Sequence, residues 1–332
     1  MKVFAGDLGG THARLEIAEV EGTHPRTLRA HVFPSADYED PAAFLTEFLA
    51  GEDVAGACLA VAGPVEDHRD HQTAHVTNLP WDLDSRDLAR RLGLPALRLI
   101  NDFQAVGYGL EALQPKDRVE LQTGHPRPHA PRALIGAGTG LGMGLLVWQG
   151  GHYEVLPSEG GHAGFAPAEP LQDALLAWLR KRYGHVSWER VLSGPGLVNL
   201  YHFLRQRESH RANAALDRAM AEGDAAAQIS EFALWHGDAL AREALELFVR
   251  LYGAAAGDLA LTTLPRGGLY IAGGIAPKIL DVLHTGEFVT AFRDKGRMTE
   301  LMATFPVRVV INTRVGLMGA ALAAARLAEG TA

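Results

Sequence analysis

The sequence predicts a mixed α/β protein with two domains around a central cleft. At 332 residues the chain is longer than one hydrophobic core usually serves. Predicted strands alternate with predicted helices, which favours parallel pairing within sheets. A glycine-threonine turn between two strands occurs twice, at residues 7–12 and 137–142. This repetition indicates a duplicated architecture.

The composition restricts the class of protein. Hydrophobic residues make up 47% and charged residues 21%, as expected for a full hydrophobic core. The formal net charge of -8 argues against a nucleic-acid partner. Because the sequence shows no apolar segment suited to a signal peptide or a membrane span, we expect a cytoplasmic protein without a membrane partner. The single cysteine, Cys58, lies in an apolar run and is predicted to be buried.

The first third of the chain predicts one sheet with helices between its later strands. Strands are predicted at residues 2–6, 14–20, 28–33, 55–62 and 97–100, and helices at 42–49, at 85–92 and from Phe103 onward. A sheet that starts with three consecutive strands and continues through helical crossovers resembles a ribonuclease-H-like domain. That assignment is an analogy between folds.

The rest of the chain predicts a second sheet and a large helical segment. Strands are predicted at 133–136, 143–148, 269–272 and 307–311, and helices within 171–252, at 277–282 and at 317–328. Ser187 and Ser193 are predicted helix caps. Three prolines within 125–131 predict a loop between the two domains.

The first turn contains Asp7, Gly9, Gly10 and Thr11. Glycines let backbone N–H groups approach phosphate oxygens, threonine adds a donor, and the acid can orient hydrated Mg²⁺. A hairpin that merely requires glycine is the alternative. The second turn, Gly138-Thr139-Gly140, favours the phosphate-binding interpretation, because two such hairpins can hold a triphosphate from opposite sides.

Neither turn matches the common nucleotide motifs. The pattern G-x-x-x-x-G-K-[ST] is absent, and the second turn continues into a strand where a dinucleotide fold requires a helix. A third element, Gly273-Gly274, lies between a strand and a helix with Pro277 in its first turn. The amino end of that helix can bind the α-phosphate or the ribose, and a tight structural turn is the alternative.

Asn101 and Asp102 lie between a strand and a helix. A carboxylate at a helix start tends to stay ionised, which suits a base that accepts a hydroxyl proton as phosphate arrives. The alternative is that Asp102 is only a helix N-cap. Glu159, His162 and Glu189 offer directional hydrogen bonds to a polyol, although Glu189 alone is also typical of a first-turn helix acid.

Three histidines, His68, His71 and His75, occur near Asp67 and Asp70. This spacing could imitate a metal site. The charged residues and prolines that flank it favour an exposed hairpin, so we expect no metal there.

Taken together, these motifs resemble the bacterial glucokinase family, which has the hexokinase and actin-like ATPase fold, and the resemblance covers nearly the whole chain. The motifs that carry it are residues 7–14, Thr77-Asn78 with Trp81, 100–103, 136–142, 158–162, 189–200, Phe292 with 294–297, and 316–320 without Met318. So many motifs in order leave little room for coincidence.

The resemblance implies ATP-dependent phosphorylation of glucose to glucose 6-phosphate, with Asp102 as the general base. It implies that Asn101, Glu159, His162 and Glu189 bind sugar hydroxyls. The expected nucleotide residues are Asp7, Gly9, Gly10, Thr11, Gly138, Thr139, Gly140, Gly273 and Gly274, with Mg²⁺ bound to Asp7 through water. The implied domains are 1–112 plus 313–332, and 113–312, in a homodimer.

Two departures and two alternatives accompany this resemblance. His12 stands where the family usually carries asparagine, which puts the phosphate contact and the nucleotide preference in question. The cysteine cluster of zinc-containing sugar kinases is absent, so no zinc is expected. A kinase for another hexose, or one using polyphosphate, is the first alternative. The second is a non-catalytic sugar sensor, which would need a DNA-binding segment ahead of the first strand.

Overall fold

A computed structural model describes residues 1–208 and 211–330 of the chain. These residues divide into two compact units. Unit 1 comprises 1–117, 148–157 and the described part of 312–332, and unit 2 comprises 118–147 and the described part of 158–311. The segment 148–157 of unit 1 falls inside the range predicted for the larger domain. The predicted domain bounds stay a prediction.

Strands and helices alternate along the chain as follows. The first part contains β1 (Lys2–Leu8), β2 (His12–Glu21), β3 (His24–Pro34), α1 (Ala42–Leu49), β4 (Ala57–Val61), β5 (Val65–Asp67), β6 (Gln72–His75), β7 (Asp82–Asp84), α2 (Ser85–Leu92), β8 (Leu97–Asn101), α3 (Asp102–Gly109), β9 (Arg118–Gln122), β10 (Arg132–Ala137), β11 (Leu141–Gln149) and β12 (His152–Ser158). The second part contains α4 (Pro170–Tyr183), α5 (Gly194–Arg207), α6 (Ala214–Glu222), α7 (Ala225–Trp235), α8 (Ala239–Thr263), β13 (Gly268–Ala272), α9 (Leu280–Leu283), α10 (Glu287–Arg293), α11 (Thr299–Ala303), β14 (Val307–Val310) and α12 (Val315–Glu329).

The first sheet has the strand order β3-β2-β1-β4-β8. The first three strands form an antiparallel meander, and β1, β4 and β8 are parallel neighbours. Every residue of β4 is buried, which is typical of a parallel strand covered on both faces. Cys58 is one of them, so its predicted burial is confirmed, and burial raises the pKa of its thiol to about 12.

The second sheet repeats this order. Its strand order is β12-β11-β10-β13-β14-β9. On one side of β10 lie β11 and β12, which follow it in the chain, and on the other side lie the parallel strands β13 and β14. The duplicated architecture predicted from the two glycine turns is therefore confirmed. The added edge strand β9 pairs antiparallel with β14 and was not predicted.

Two helices of unit 1, α3 and α12, pack with their backbones in unusually close approach. A Cβ placed on Gly319 would lie 1.8 Å from the carbonyl oxygen of Ala105, and one on Gly109 would lie 2.0 Å from that of Val315. Only glycine fits at such distances. Because α3 begins at Asp102, this contact fixes the helix that carries that carboxylate.

Several elements differ from the sequence prediction. A three-stranded antiparallel sheet, β5-β6-β7, occupies the region predicted as an exposed hairpin. The predicted helix at 277–282 is a 3-10 helix, Ala276–Ile279, followed by the single turn α9. Ser193 caps α5 as predicted, whereas Ser187 precedes a 3-10 helix and its side chain makes no capping bond. Strands β9 and β12 and helices α10 and α11 had no prediction.

Within residues 1–208 and 211–330, every helix is too short or too polar to cross a membrane.

Candidate active site

The carboxyl ends of the parallel strands of unit 1 bring the first group of predicted site residues to one edge of the sheet. Asp7 pairs in register with Ala60 of β4, and Val61 pairs with Asn101 of β8. Asp102 follows directly as the first residue of α3. Ligands of open α/β sheets bind outside this edge, so its polar side chains are the candidates for chemistry.

The turn between β1 and β2 is held from both sides. The N–H of Gly9 donates to the carbonyl of His12 across 3.1 Å, and a Cβ on Gly10 would lie 3.3 Å from the carbonyl oxygen of Thr77. Ser35 is fully buried beneath the turn, where its hydroxyl donates to the Gly9 carbonyl at 2.7 Å and its N–H donates to the Thr11 carbonyl at 3.0 Å. Ser35 therefore fixes the backbone that is predicted to meet phosphate.

Asp7 and Arg14 face each other across the β1–β2 pair. One Arg14 guanidinium nitrogen lies 3.5 Å from the Asp7 carboxylate. Burial raises the pKa of Asp7, and the Arg14 charge partly offsets that rise. The arrangement keeps a carboxylate next to a glycine turn, as a water-mediated Mg²⁺ contact requires.

Asn101, and not Asp102, caps α3. The Asn101 side-chain oxygen accepts from the N–H groups of Phe103 at 2.9 Å and Gln104 at 3.4 Å, and its amide nitrogen donates to the Gly63 carbonyl at 2.9 Å. The alternative that Asp102 is the N-cap is therefore wrong. Asn101 retains one side-chain N–H that can donate to a sugar hydroxyl, since both lone pairs of its side-chain oxygen are engaged by the helix.

The Asp102 carboxylate has an unusual proton affinity. Protein packed around it raises its pKa to about 6, with the nearby negative charge of Asp7 adding to the rise and a hydrogen bond from the Phe103 N–H opposing it. The side chain is nevertheless exposed to solvent. Asp102 thus combines access for a substrate with a pKa suited to proton transfer near neutral pH.

The distal end of α3 is anchored by a polar network within unit 1. The Tyr108 hydroxyl donates to Glu154 at 3.0 Å. Glu111, just beyond the helix, forms an ion pair with Arg326 of α12, and both side chains are largely buried. Because burial keeps these partners out of water, the helix has a fixed position from its base at Asp102 to its far end.

In unit 2 the turn at Gly138–Gly140 is also tightly held. The Gly138 N–H donates to the Gly140 carbonyl at 2.8 Å, and the Gly138 carbonyl accepts from the N–H of Gly194 at 2.8 Å. Glu189 reaches the same turn, since its carboxylate accepts from the Leu141 N–H at 3.0 Å. A Cβ on Gly140 would lie 2.6 Å from that carboxylate, so a side chain there would displace Glu189 from the turn.

Glu159 is the N-cap of a 3-10 helix, Gly160–His162, and His162 is its last residue. Their side chains are exposed and 3.7 Å apart. A Cβ on Gly161 would lie 2.0 Å from the carbonyl oxygen of Leu141. Leu141 therefore places both candidate sugar segments: its N–H binds Glu189, and its carbonyl packs on the turn that carries Glu159 and His162.

The third glycine element lies next to the second turn. Gly273 has a φ of +84°, and a Cβ there would lie 2.4 Å from the carbonyl oxygen of Ala137, which immediately precedes Gly138. A Cβ on Gly274 would meet nothing within 4 Å. Because the helical segment that follows is only a 3-10 helix and one α-turn, open backbone is the feature that could admit a nucleotide here.

The histidine group of β5–β7 pairs locally with acids. His71 contacts Asp70 at 3.0 Å and Asp84 at 3.5 Å, and His75 contacts Asp82 at 2.8 Å. Within the part of the chain that the structure describes, no three His, Cys, Asp or Glu side chains are grouped to hold a metal ion.

The structure thus brings the predicted residues together in two sets. Unit 1 groups Asp7, Gly9, Gly10, Thr11, Asn101 and Asp102, and unit 2 groups Gly138, Thr139, Gly140, Glu159, His162, Glu189, Gly273 and Gly274. Sequence reasoning missed Ser35 and the role of Leu141. Ser35 belongs to none of the motifs, and Leu141 lies in the motif 136–142 without a polar side chain to mark it, because the contacts of both depend on segments distant in the chain.

Comparison with solved structures defines the class of protein. A glucokinase from an Antarctic psychrotroph superposes with a TM-score of 0.86 at 33% identity, covering 98% of this chain and 99% of its own. A Streptomyces griseus ROK-family glucokinase in complex with glucose and AMPPNP has a TM-score of 0.65 at 24% identity, covering 98% and 100%. The fold is that of sugar kinases with the actin-like ATPase architecture, as the sequence predicted.

Sequence comparison narrows the class to a family. The family model described as Glucokinase matches residues 4–327. Curated glucokinases of Nostoc sp. and Synechocystis sp. are each 44% identical to this chain, the first covering 98% of this chain and 99% of the relative, the second 97% and 98%. The chain belongs to the glucokinase family.

Proposed function

We propose that the protein transfers the γ-phosphoryl group of ATP to the 6-hydroxyl of glucose, with Asp102 as the general base. The observation that carries the assignment of the base is the geometry of Asp102. Its carboxylate is exposed, its pKa is raised to about 6, and Asn101 relieves it of the capping role. One Asp102 oxygen accepts from the Phe103 N–H, and the other oxygen is the one assigned to the substrate hydroxyl in this proposal.

Asp102 accepts the hydroxyl proton as the oxygen attacks the γ-phosphorus. With a pKa of about 6 the carboxylate is ionised at neutral pH, yet it is a stronger base than an ordinary aspartate. The rigid attachment of α3 to α12 keeps the carboxylate at one position. Because phosphoryl transfer depends chiefly on positioning and charge neutralisation, such rigidity supports catalysis.

Four side chains bind the other sugar hydroxyls in this proposal. Glu159 and His162 are exposed and offer an acceptor and a switchable donor. Glu189 has one carboxylate oxygen bound to the Leu141 N–H, and its other oxygen accepts no hydrogen bond from the residues that the structure describes. Asn101 adds its remaining side-chain N–H as a donor. This mixture of acceptors and donors fits a polyol, whose hydroxyl groups each donate and accept.

The two glycine turns and Gly273-Gly274 bind ATP in this proposal. A side chain at Gly138 or Gly274 would meet nothing within 4 Å, so the backbone at both positions is open to a ligand. Asp7 supplies carboxylate oxygens, which suit Mg²⁺ through water. Bound Mg²⁺ would supply neutralisation of phosphate charge. His12 can donate to a phosphate oxygen where the family usually has asparagine.

We further propose a cytoplasmic homodimer, on the family resemblance alone. Neither property bears on the chemistry above.

The reaction is tested by measuring ADP formation from MgATP with glucose, mannose, fructose, galactose, N-acetylglucosamine and N-acetylmannosamine. Glucose should support the fastest turnover. Asp102→Asn should lower kcat by about 10²- to 10⁴-fold, the usual contribution of a general base, with glucose binding retained. Asp82→Asn, which alters an exposed acid on β7, is the matched control and should leave kcat unchanged.

Three outcomes would contradict the proposal. Turnover confined to another hexose would overturn the substrate, and undiminished turnover by Asp102→Asn would overturn the base. If no sugar supports turnover although glucose binds, polyphosphate should be tested as the phosphoryl donor. Absence of turnover with polyphosphate as well would favour the sugar sensor.

A further inference from the structure

The two glycine turns of unit 2, at 138–140 and 273–274, begin where two neighbouring parallel strands end. Strand β10 ends at Ala137 and β13 ends at Ala272, and the last pair in their register joins Gly136 to Ala272. The N–H of Ala137 therefore lies at the end of this ladder, where the two strands separate into their turns. A buried N–H at such a point needs another acceptor.

The acceptor is the hydroxyl of Tyr252, in the middle of α8. The Ala137 N–H donates to this oxygen across 3.0 Å. The same hydroxyl lies 3.5 Å from the carbonyl oxygens of Ile135 and Ala272, and its single proton can be donated to one of them. One side chain thus joins the backbones from which both turns begin.

The position of this hydroxyl is fixed by its surroundings. Tyr252 is fully buried, and its ring packs edge-on against Phe248 and Phe288, with ring centroids 5.8 Å away in each case. Gly253 allows α10 to approach, since a Cβ there would lie 2.2 Å from the carbonyl oxygen of Phe288. Burial raises the pKa of Tyr252, so the hydroxyl keeps its proton and remains a donor.

Ala137 passes this constraint to both turns. It directly precedes Gly138, and its carbonyl oxygen accepts from the Ile275 N–H at 3.3 Å. The same oxygen would lie 2.4 Å from a Cβ on Gly273. A shift of the Ala137 peptide would therefore move the turn at 138–140 and change the packing of Gly273 together.

We propose that Tyr252 is a positioning residue for nucleotide binding, which holds the turns at 138–140 and 273–274 in register through its hydroxyl. The inference rests on the proposed function, because it takes these turns to be the ATP site. Tyr252 lies within the core and acts only through the backbone.

The test compares Tyr252→Phe with Tyr201→Phe. Both changes remove one hydroxyl from a fully buried ring of unit 2, and the Tyr201 hydroxyl has no hydrogen-bond partner among the residues that the structure describes. We expect Tyr252→Phe to raise the Kd for MgADP and the KM for MgATP about tenfold, which corresponds to about 1.4 kcal/mol. The KM for glucose should change less than about twofold, and Tyr201→Phe should change none of the three.

The outcomes separate this inference from the proposed function. Equal MgADP affinity in wild type and Tyr252→Phe, measured by calorimetry, overturns the inference, as does an equal rise in both KM values. A wild-type protein that binds MgADP but phosphorylates no sugar overturns the proposed function alone. If Tyr252→Phe does not fold, hydrogen exchange in the wild type decides: an Ala137 amide that exchanges as fast as exposed loop amides refutes the bond.

Discussion

The pH dependence of turnover provides a direct test of the Asp102 assignment. A general base works only when ionised, so a raised pKa means that activity is lost as the pH falls through that pKa. With the Asp102 pKa at about 6, the kcat/KM for glucose should be maximal above pH 7 on this limb and fall at lower pH. An ordinary aspartate, with a pKa of 3.8, would remain ionised throughout this range.

The size of the effect follows from the two pKa values. A carboxyl group with a pKa of about 6 is about nine-tenths ionised at pH 7 and about one-tenth ionised at pH 5. The expected fall in kcat/KM over these two pH units is therefore about ninefold to tenfold. An aspartate at its ordinary pKa would lose only about one-twentieth of its ionised form by pH 5.

The assay is discontinuous ADP formation at limiting MgATP and limiting glucose, from pH 4.5 to pH 8.5, so that the profile reports the free enzyme. Asp82→Asn should reproduce the wild-type profile. Asp7→Asn should move the midpoint to lower pH, because the negative charge of Asp7 contributes to the raised pKa of Asp102, whatever its effect on rate. A wild-type profile that is flat down to pH 5 would refute the reasoning.

Three further substitutions test how the site is held. Gly161→Ala places a Cβ 2.0 Å from a backbone carbonyl oxygen and should raise the KM for glucose about tenfold, with an unchanged KM contradicting the role of this turn. Ser35→Ala removes the 2.7 Å bond to Gly9 and should raise the KM for MgATP about threefold to tenfold. The KM for glucose, measured by the same steady-state kinetics, should not change. Gly319→Ala forces α3 and α12 apart at a 1.8 Å contact and should destabilise unit 1 by about 1–3 kcal/mol and lower kcat; calorimetric melting within 1 °C of wild type would be inconsistent with the close packing.

Much of the fold could be predicted from the sequence because it depends on local hydrophobic patterns. The fully buried apolar run of β4 and the amphipathic α2 were predicted from hydrophobic periodicity, and the predicted bounds of α1 and α2 agree with the structure. The strands β5–β7 were not predicted as a separate sheet, because they are short and mostly polar. Their pairing with one another provides the order that their sequences do not specify.

The candidate site could also be predicted in part from the sequence. Glycine turns and isolated acids were visible, and Asn101-Asp102 stood at a predicted strand end. Which of these two residues caps the helix could not be predicted, because either of two adjacent polar residues at a helix start can be the N-cap. The tertiary structure decides this point, since the side chain of Asn101 bonds to the backbones of Phe103, Gln104 and Gly63 together.

The sequence by itself determined the mixed α/β class, the repeated glycine turns and the membership in a kinase family, because these depend on short patterns that are read along the chain. Only the tertiary structure decided which buried groups hold those turns. Ser35 lies 26 residues from Gly9 along the chain, and Tyr252 lies 115 residues from Ala137. Such bonds form between segments that folding brings together, and therefore no local pattern encodes them.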